Sequence, residues 1–134
     1  MLTGKKIVLG VSGGIAAYKM ANVASMLSKL HADIHVVMTE NATHFITPET
    51  FEVLTGNHCY TDTFDRCMEL HVPHIALGTQ ADAILIAPAS ADVVGKIANG
   101  IADDMLTTCV LPATCPVMLA PSMNVHMYEN PIVQ

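Results

Sequence analysis

Four short apolar runs, each followed at once by a loop of small polar residues, constrain the fold of this chain more than any other feature. The runs cover residues 6–11, 33–39, 83–87 and 117–120. Short apolar strands that alternate with helical segments are typical of a parallel sheet with helices on both faces. We therefore predict an α/β fold with at least four parallel strands and right-handed crossovers.

Helical periodicity separates these runs. Apolar residues recur at steps of three and four after the first run, and cap-type residues mark the ends of the later segments. Helices are therefore predicted over 15–30, 48–55, 91–99 and 103–110. Residues 57–80 are the least regular part of the chain and have room for one short strand and a helical turn.

The composition excludes several functional classes. Six Lys and Arg against twelve Asp and Glu give a formal charge of −6, which argues against a basic nucleic-acid-binding surface. No run of apolar residues is long enough to predict a membrane span, and the first run is too short for a secretory signal. We therefore expect a cytoplasmic protein without a nucleic-acid or membrane partner. The apolar fraction of 51% is high for a lone domain and indicates an oligomer interface.

The cysteines carry no pattern that indicates a disulfide framework or a metal site. In a chain without a secretory signal, they are expected to be reduced thiols. Their spacing relative to nearby histidines matches no usual structural zinc pattern, so we expect no metal. The four residues are Cys59, Cys67, Cys109 and Cys115.

The polar loops that follow the four strands are expected to meet. The carboxyl ends of parallel strands share one edge of the sheet, where ligands bind in open α/β folds. These loops read Ser12-Gly13-Gly14, Thr39-Glu40-Asn41, Pro88-Ala89-Ser90 and Pro121-Ser122-Met123-Asn124. Their convergence predicts a ligand site at the carboxyl edge.

The first loop has the residue types of an anion site. Gly13 and Gly14 allow close approach to backbone N–H groups at the start of a helix, and Ser12 adds a hydroxyl. Glycines at positions 10, 13 and 14 match neither the dinucleotide-binding pattern nor the Walker A loop, which favours a mononucleotide phosphate. A tight turn between strand and helix with no ligand is the alternative interpretation.

Three residues in the second half of the chain each have a functional and a structural interpretation. His74 follows a proline in an irregular segment and is a candidate general base, or else an ordinary histidine. Asn124 is a candidate ligand-binding amide or a helix N-cap, and Met127 a ligand contact or a core residue. Asp103 and Asp104 are expected to lie in the first turn of a helix and to compensate its dipole.

Four blocks of sequence, in order, resemble the flavin-containing cysteine decarboxylases, and most closely the members that act in coenzyme A biosynthesis. The blocks read GVSGGIAAYK, HIAL, PASAD with GKIANGIADD, and PSMNVHMY, and they cover residues 10–19, 74–77, 88–104 and 121–128. Each block alone is weak, but the four together are specific and span nearly the whole chain.

The resemblance implies a fold and an assembly. The family fold is a flavodoxin-like, Rossmann-like three-layer sandwich with a parallel sheet, and residues 1–134 would form one FMN-binding domain. Its members form trimers, or dodecamers assembled from trimers, with FMN bound where subunits meet. Members that complete the reaction carry a cysteine on a flap after the last block. No such residue precedes Gln134, so we expect a shortened chain that is cut within a helix at 130–134.

The resemblance also implies which residues bind FMN, the expected cofactor. The phosphate would be held by Ser12, Gly13, Gly14 and Ile15. The flavin or its ribityl chain would lie along Thr39, Ala42 and Phe45. Further contacts would come from Pro88, Ala89, Ser90 and Ser122.

The implied reaction is the decarboxylation of 4′-phosphopantothenoylcysteine to 4′-phosphopantetheine, which makes the chain a carbon–carbon lyase. Flavin oxidation of the substrate to a thioaldehyde would allow loss of CO2 and a later return of the electrons. His74 would be the catalytic base. Asn124 would hold the substrate carboxylate, and Met127 would also contact the substrate.

Two residues depart from the family pattern, and other functions stay open. Asp92 replaces an asparagine, which puts an amide contact in doubt, and Tyr128 replaces a tryptophan. A peptidyl-cysteine decarboxylase of the lantibiotic type is one alternative, and a non-catalytic FMN-binding regulatory subunit is another. A flavin prenyltransferase is disfavoured, because its usual residues are absent after Pro88 and in the last block.

Overall fold

The computed structural model describes residues 1–64 and 73–134, except for the side chains of Pro73 and His74. These residues form a four-stranded sheet whose paired strands are all parallel, in the order β2-β1-β3-β4. The strands are β1 (Lys6–Val11), β2 (Asp33–Met38), β3 (Ala83–Ala89) and β4 (Val117–Pro121). This order confirms the predicted parallel α/β fold, and it is the order of flavodoxin-like sheets, with the topological switch point between β1 and β3.

Six α-helices lie in the described part of the chain. They are α1 (Lys19–Lys29), α2 (Pro48–Thr55), α3 (Pro73–Gln80), α4 (Ala91–Ala98), α5 (Met105–Val110) and α6 (Val125–Glu129). Two 3₁₀ turns, Ile15–Tyr18 and Asn41–His44, follow β1 and β2. Gly56 ends α2 with a φ of 74°, as predicted for a glycine beyond a helix C-terminus.

The chain has no helix at 130–134, contrary to expectation. Helix α6 ends at Glu129, and Asn130 adopts an extended backbone with φ −64° and ψ 126°. The physical reason is Pro131, because a proline disfavours helical backbone in the residue before it.

The core consists of two apolar clusters, one on each face of the sheet. Alternate strand residues point to opposite faces, so that Val8 belongs to one cluster and Leu9 to the other. Helices α3, α4 and α5 cover the first face, where Leu106 is fully buried. Helices α1 and α2 cover the second face, where Phe51 is the largest fully buried side chain. The predicted three layers are therefore present.

Two further features bear on function. Within residues 1–64 and 73–134, none of the helices has the length and apolar character that a bilayer crossing requires. The same residues contain no group of three or more His, Cys, Asp or Glu side chains arranged to hold a metal ion.

Candidate functional site at the carboxyl edge of the sheet

Backbone hydrogen bonds join the four predicted loops along the carboxyl edge. They run from Thr39 to Val11, from Ser12 to Pro88 and from Ser122 to Ala89, with N···O distances of 3.0, 3.3 and 3.0 Å. Each bond links the ends of two neighbouring strands, so the loops occupy one continuous rim in the order of the sheet. The predicted convergence of these loops is confirmed.

The first loop presents free backbone donors. Within the described residues, the N–H groups of Gly13, Gly14 and Ile15 donate to no protein acceptor. A Cβ atom on Gly13 would lie 2.5 Å from the Cβ of Asn41, so only glycine allows the loops after β1 and β2 to approach this closely. Unpaired N–H groups on a glycine-rich turn are the donors that bind a phosphate.

Three of the predicted cofactor contacts, Ser12, Ala42 and Ala89, are fully buried within the chain itself. Ser12 is fully buried, and its hydroxyl donates to the carbonyl of Pro88 and accepts from the N–H of Ser90 at 2.9 Å. Ala42 is also fully buried, and its N–H donates to Oγ1 of Thr39 at 3.2 Å. The chain covers these side chains in this structure, and their contact with the cofactor stays a prediction.

A cavity of about 220 Å³ opens between the loops, and its wall includes Gly13, Thr39 and Ser90. Lys96 also lines it, with Nζ 3.2 Å from Oδ2 of Asp92 and 3.2 Å from Oδ1 of Asp103. Burial would lower the pKa of the Lys96 ammonium, but its hydrogen bonds to the two carboxylates outweigh burial and raise it. Sequence reasoning missed Lys96, although its spacing of four from Asp92 on one helix was the available signal.

The acidic residues before α5 have structural roles that differ from the prediction. Asp104 lies outside the helix as its N-cap, where Oδ1 accepts the N–H of Thr107 at 2.8 Å. The N–H of Asp104 donates in turn to Oγ1 of Thr107 at 3.2 Å, which completes a capping box. Asp103 also precedes the helix and pairs with Lys96 instead of lying in the first turn.

Of the two interpretations of Asn124, the structure shows the helix N-cap, and ligand binding stays a prediction. It is the N-cap of α6, and its Oδ1 accepts the N–H of His126 at 2.8 Å. Its amide NH2 has no partner among the described residues and stays free to donate to a ligand. Met127, one turn later, is 48% exposed and does not belong to the core of the described residues.

The side chain of His74, the predicted base, lies outside the described residues. Its main chain is in the first turn of α3. Gln80, at the other end of α3, accepts from Nζ of Lys6 at 3.4 Å, next to the start of β1. Helix α3 therefore ends at the amino edge of the sheet, and its first turn lies toward the carboxyl edge.

The buried thiols are not candidate nucleophiles. Burial, with the nearby Glu52 and Glu49 carboxylates, raises the pKa of Cys59 to about 12. Burial also raises the pKa of Cys109 to about 12. Such thiols stay protonated near neutral pH and react slowly. Cys59, Cys109 and Cys115 form no disulfide, and Cys67 lies outside the described residues.

A family model described as Flavoprotein matches residues 1–134. The coenzyme A biosynthesis bifunctional protein CoaBC of Bacillus subtilis strain 168 is 50% identical over 134 residues, which cover 100% of this chain and 33% of that protein. The chain thus spans about a third of the length of the curated relatives that it matches.

The chain is also similar to solved structures of decarboxylases. SpaF, an FMN-dependent cysteine decarboxylase, has a TM-score of 0.91 and 38% identity over 100% of this chain and 77% of its own. A mutant PPC decarboxylase complexed with pantothenoylaminoethenethiol has a TM-score of 0.80 and 32% identity over 95% of this chain and 71% of its own. The family match over every residue and these similarities establish that the chain belongs to the Flavoprotein family, with the flavodoxin-like fold of its structural neighbours.

Proposed function

We propose that this chain is an FMN-dependent decarboxylase that converts 4′-phosphopantothenoylcysteine to 4′-phosphopantetheine in coenzyme A biosynthesis. The observation that carries the proposal is the joined rim around the β1/β3 switch point, which includes the loops of three of the four family blocks, at residues 10–19, 88–104 and 121–128. The 50% identity to a coenzyme A biosynthesis protein and the similarity to PPC decarboxylase support this substrate.

The first loop fits the phosphate of FMN. The N–H groups of Gly13, Gly14 and Ile15 would bind it, and the glycines leave room for close approach. Thr39, Phe45, Ser90 and Ser122 would contact the rest of the cofactor. When bound, FMN would supply the oxidation of the substrate carbon that carries the thiol, which prepares the neighbouring bond for loss of CO2.

Two side chains would act directly on the substrate, one on its thiol and one on its carboxylate. We assign to His74 the removal of the thiol proton, because an imidazole accepts protons near neutral pH. The free amide NH2 of Asn124 would donate to the substrate carboxylate and orient it. A neutral donor suits this task, since a strong ion pair would stabilise the carboxylate that has to be lost.

A neighbouring copy would complete the site. The cavity of about 220 Å³ is smaller than most pockets that enclose a whole ligand, so one chain would cover only part of FMN. Ile15 is 80% exposed and Phe45 is 50% exposed beside these loops, as expected for residues that contact a ligand or a second chain. These features support a homotrimer, or a homododecamer that is assembled from trimers. The free thiols and the biosynthetic substrate support a cytoplasmic location.

The test is mass spectrometry of the product that the FMN-loaded chain forms from 4′-phosphopantothenoylcysteine. We expect a product that lacks CO2; a further loss of two hydrogens would show decarboxylation with release before the reductive step. His74→Asn should keep the absorbance of bound flavin and form no product. His31→Asn is the matched control, because His31 is exposed and lies far from the rim. Its backbone has a φ of 68°, a conformation that asparagine tolerates. Unchanged substrate with the FMN-loaded chain would contradict the proposal.

A peptidyl-cysteine decarboxylase is the second candidate. The TM-score of 0.91 to SpaF, described as a cysteine decarboxylase, favours it. A peptide that ends in cysteine, offered in the same assay, separates the two functions. Faster loss of CO2 from the peptide than from 4′-phosphopantothenoylcysteine would select this candidate.

A further inference from the structure

Ser12 has no hydrogen-bond donor left for a phosphate. Its hydroxyl has one proton, which it donates to the carbonyl of Pro88, and the oxygen accepts the N–H of Ser90 at 2.9 Å. Its own N–H also donates to the carbonyl of Pro88, at 3.3 Å. The residue is fully buried within a single chain, so this enclosure does not depend on a neighbouring copy.

We propose that Ser12 is a positioning residue of the cofactor site, which fixes the segment 88–90 against the end of β1, and that the cofactor phosphate is bound without its hydroxyl. This inference rests on the proposed FMN site and deepens it. The hydroxyl would act on the cofactor through the backbone of Ser90, which lines the cavity together with Gly13.

Loss of this hydroxyl has a consequence that loss of a phosphate ligand would not have. Without Oγ of Ser12, the N–H of Ser90 loses its acceptor, and the segment 88–90 is held to Ser12 only by the bond from the Ser12 N–H to the carbonyl of Pro88. Ser90 is also the N-cap of α4, where its Oγ accepts the N–H of Val93 at 3.3 Å. The displaced segment would therefore weaken binding of the whole cofactor, with or without its phosphate.

The test compares two ligands, FMN and riboflavin, which lacks the phosphate. Each is titrated by flavin fluorescence into the wild-type chain, Ser12→Ala and Ser12→Cys, the last keeping nearly the shape of serine with a much weaker donor. We expect both dissociation constants to rise by one common factor, about ten-fold, the range of one lost hydrogen bond. The ratio of the two constants should stay at its wild-type value.

Thr55→Val is the matched control. The Thr55 hydroxyl also braces the backbone, since it donates to the carbonyl of Phe51 at 2.8 Å and accepts the N–H of Asn57 at 3.2 Å. Thr55 lies near the amino edge of the sheet, because the side chain of Asn57 donates to the carbonyl of Ile34 at the start of β2. We expect Thr55→Val to lower the melting temperature and to leave both dissociation constants unchanged.

Three outcomes would overturn the inference. A loss of affinity for FMN alone would make Ser12 a phosphate ligand, and unchanged affinities with a lower melting temperature would make it merely structural. Amide hydrogen exchange tests the brace without any flavin, because the Ser90 amide should exchange faster in Ser12→Ala, and an unchanged rate would exclude the brace. The wild-type chain could bind neither flavin while the Ser90 amide still exchanges faster in Ser12→Ala. The proposed function would then be wrong, and Ser12 would hold the segment 88–90 without a role in cofactor binding.

Discussion

At the scale of single residues, Asp33 shows how a few contacts set the charge of a half-exposed group. Partial burial opposes its ionisation, but hydrogen bonds with His35 and Asn57 outweigh burial and lower its pKa below the ordinary 3.8. Oδ2 lies 3.0 Å from Nε2 of His35, and the amide of Asn57 donates to Oδ1 at 2.9 Å. The group lies at the amino edge of the sheet, away from the proposed site.

This lowered pKa predicts a specific loss of stability in acid. The unfolded chain takes up a proton as the pH falls through 3.8, whereas the folded chain keeps the carboxylate to a lower pH. The stabilisation by Asp33 is therefore complete above 3.8 and is lost as the pH falls through the folded value. An NMR titration of the Asp33 carboxyl should have its midpoint below 3.8, and Asn57→Ala should raise that midpoint.

Urea unfolding across the same range of pH provides the control. The free energy of unfolding of Asp33→Asn should fall less steeply than that of the wild type, because the variant cannot take up this proton. Equal declines in both proteins would contradict the assignment.

At the scale of elements, two helical glycines have opposite environments. A Cβ atom on Gly78, in α3, would lie 2.2 Å from the carbonyl oxygen of Cys109 in α5. A Cβ atom on Gly95, in α4, would meet no atom within 4 Å. Gly78 thus permits the close packing of α3 on α5, whereas Gly95 has no packing neighbour in the part of the chain that the structure describes.

Alanine at these two positions should change stability in opposite directions. Gly78→Ala forces two backbones apart and should lower the free energy of unfolding by about 1–3 kcal/mol. Gly95→Ala should raise it by about 0.5–1 kcal/mol, because alanine loses less conformational entropy in a helix. Thermal unfolding of both variants checks this pair; a higher melting temperature of Gly78→Ala would refute the packing described for Gly78, and a lower one of Gly95→Ala would refute the open environment of Gly95.

Local signals predicted most elements but not their non-local details. All four strands begin where the apolar runs begin, and Ser90 caps α4 as its residue type indicated. The predicted helix at 15–30 instead begins as a 3₁₀ turn at Ile15–Tyr18, before α1. The sequence did not predict the full length of α3, because Gly78 weakens the helical signal. This glycine is explained by the close contact of α3 with Cys109 in α5, which the local sequence does not reveal.

At the scale of the whole molecule, the sequence motifs predicted which loops meet, and the cofactor contacts within those loops stay predictions. The predicted loops form one rim, because parallel strands place their carboxyl ends together. The enclosure of Ser12 could not be predicted, because its partner Pro88 lies 76 residues away in sequence. A motif identifies the residue types of a loop, but only the fold shows which of them faces outward.

The most direct test of the account is a crystal structure of the chain grown with saturating FMN. We predict one flavin per chain at the carboxyl ends of β1 and β3, with its phosphate on the N–H groups of Gly13, Gly14 and Ile15. The hydroxyl of Ser12 should remain bonded to Pro88 in that complex. A flavin bound elsewhere, or a rim that stays empty at saturation, would contradict the central claim.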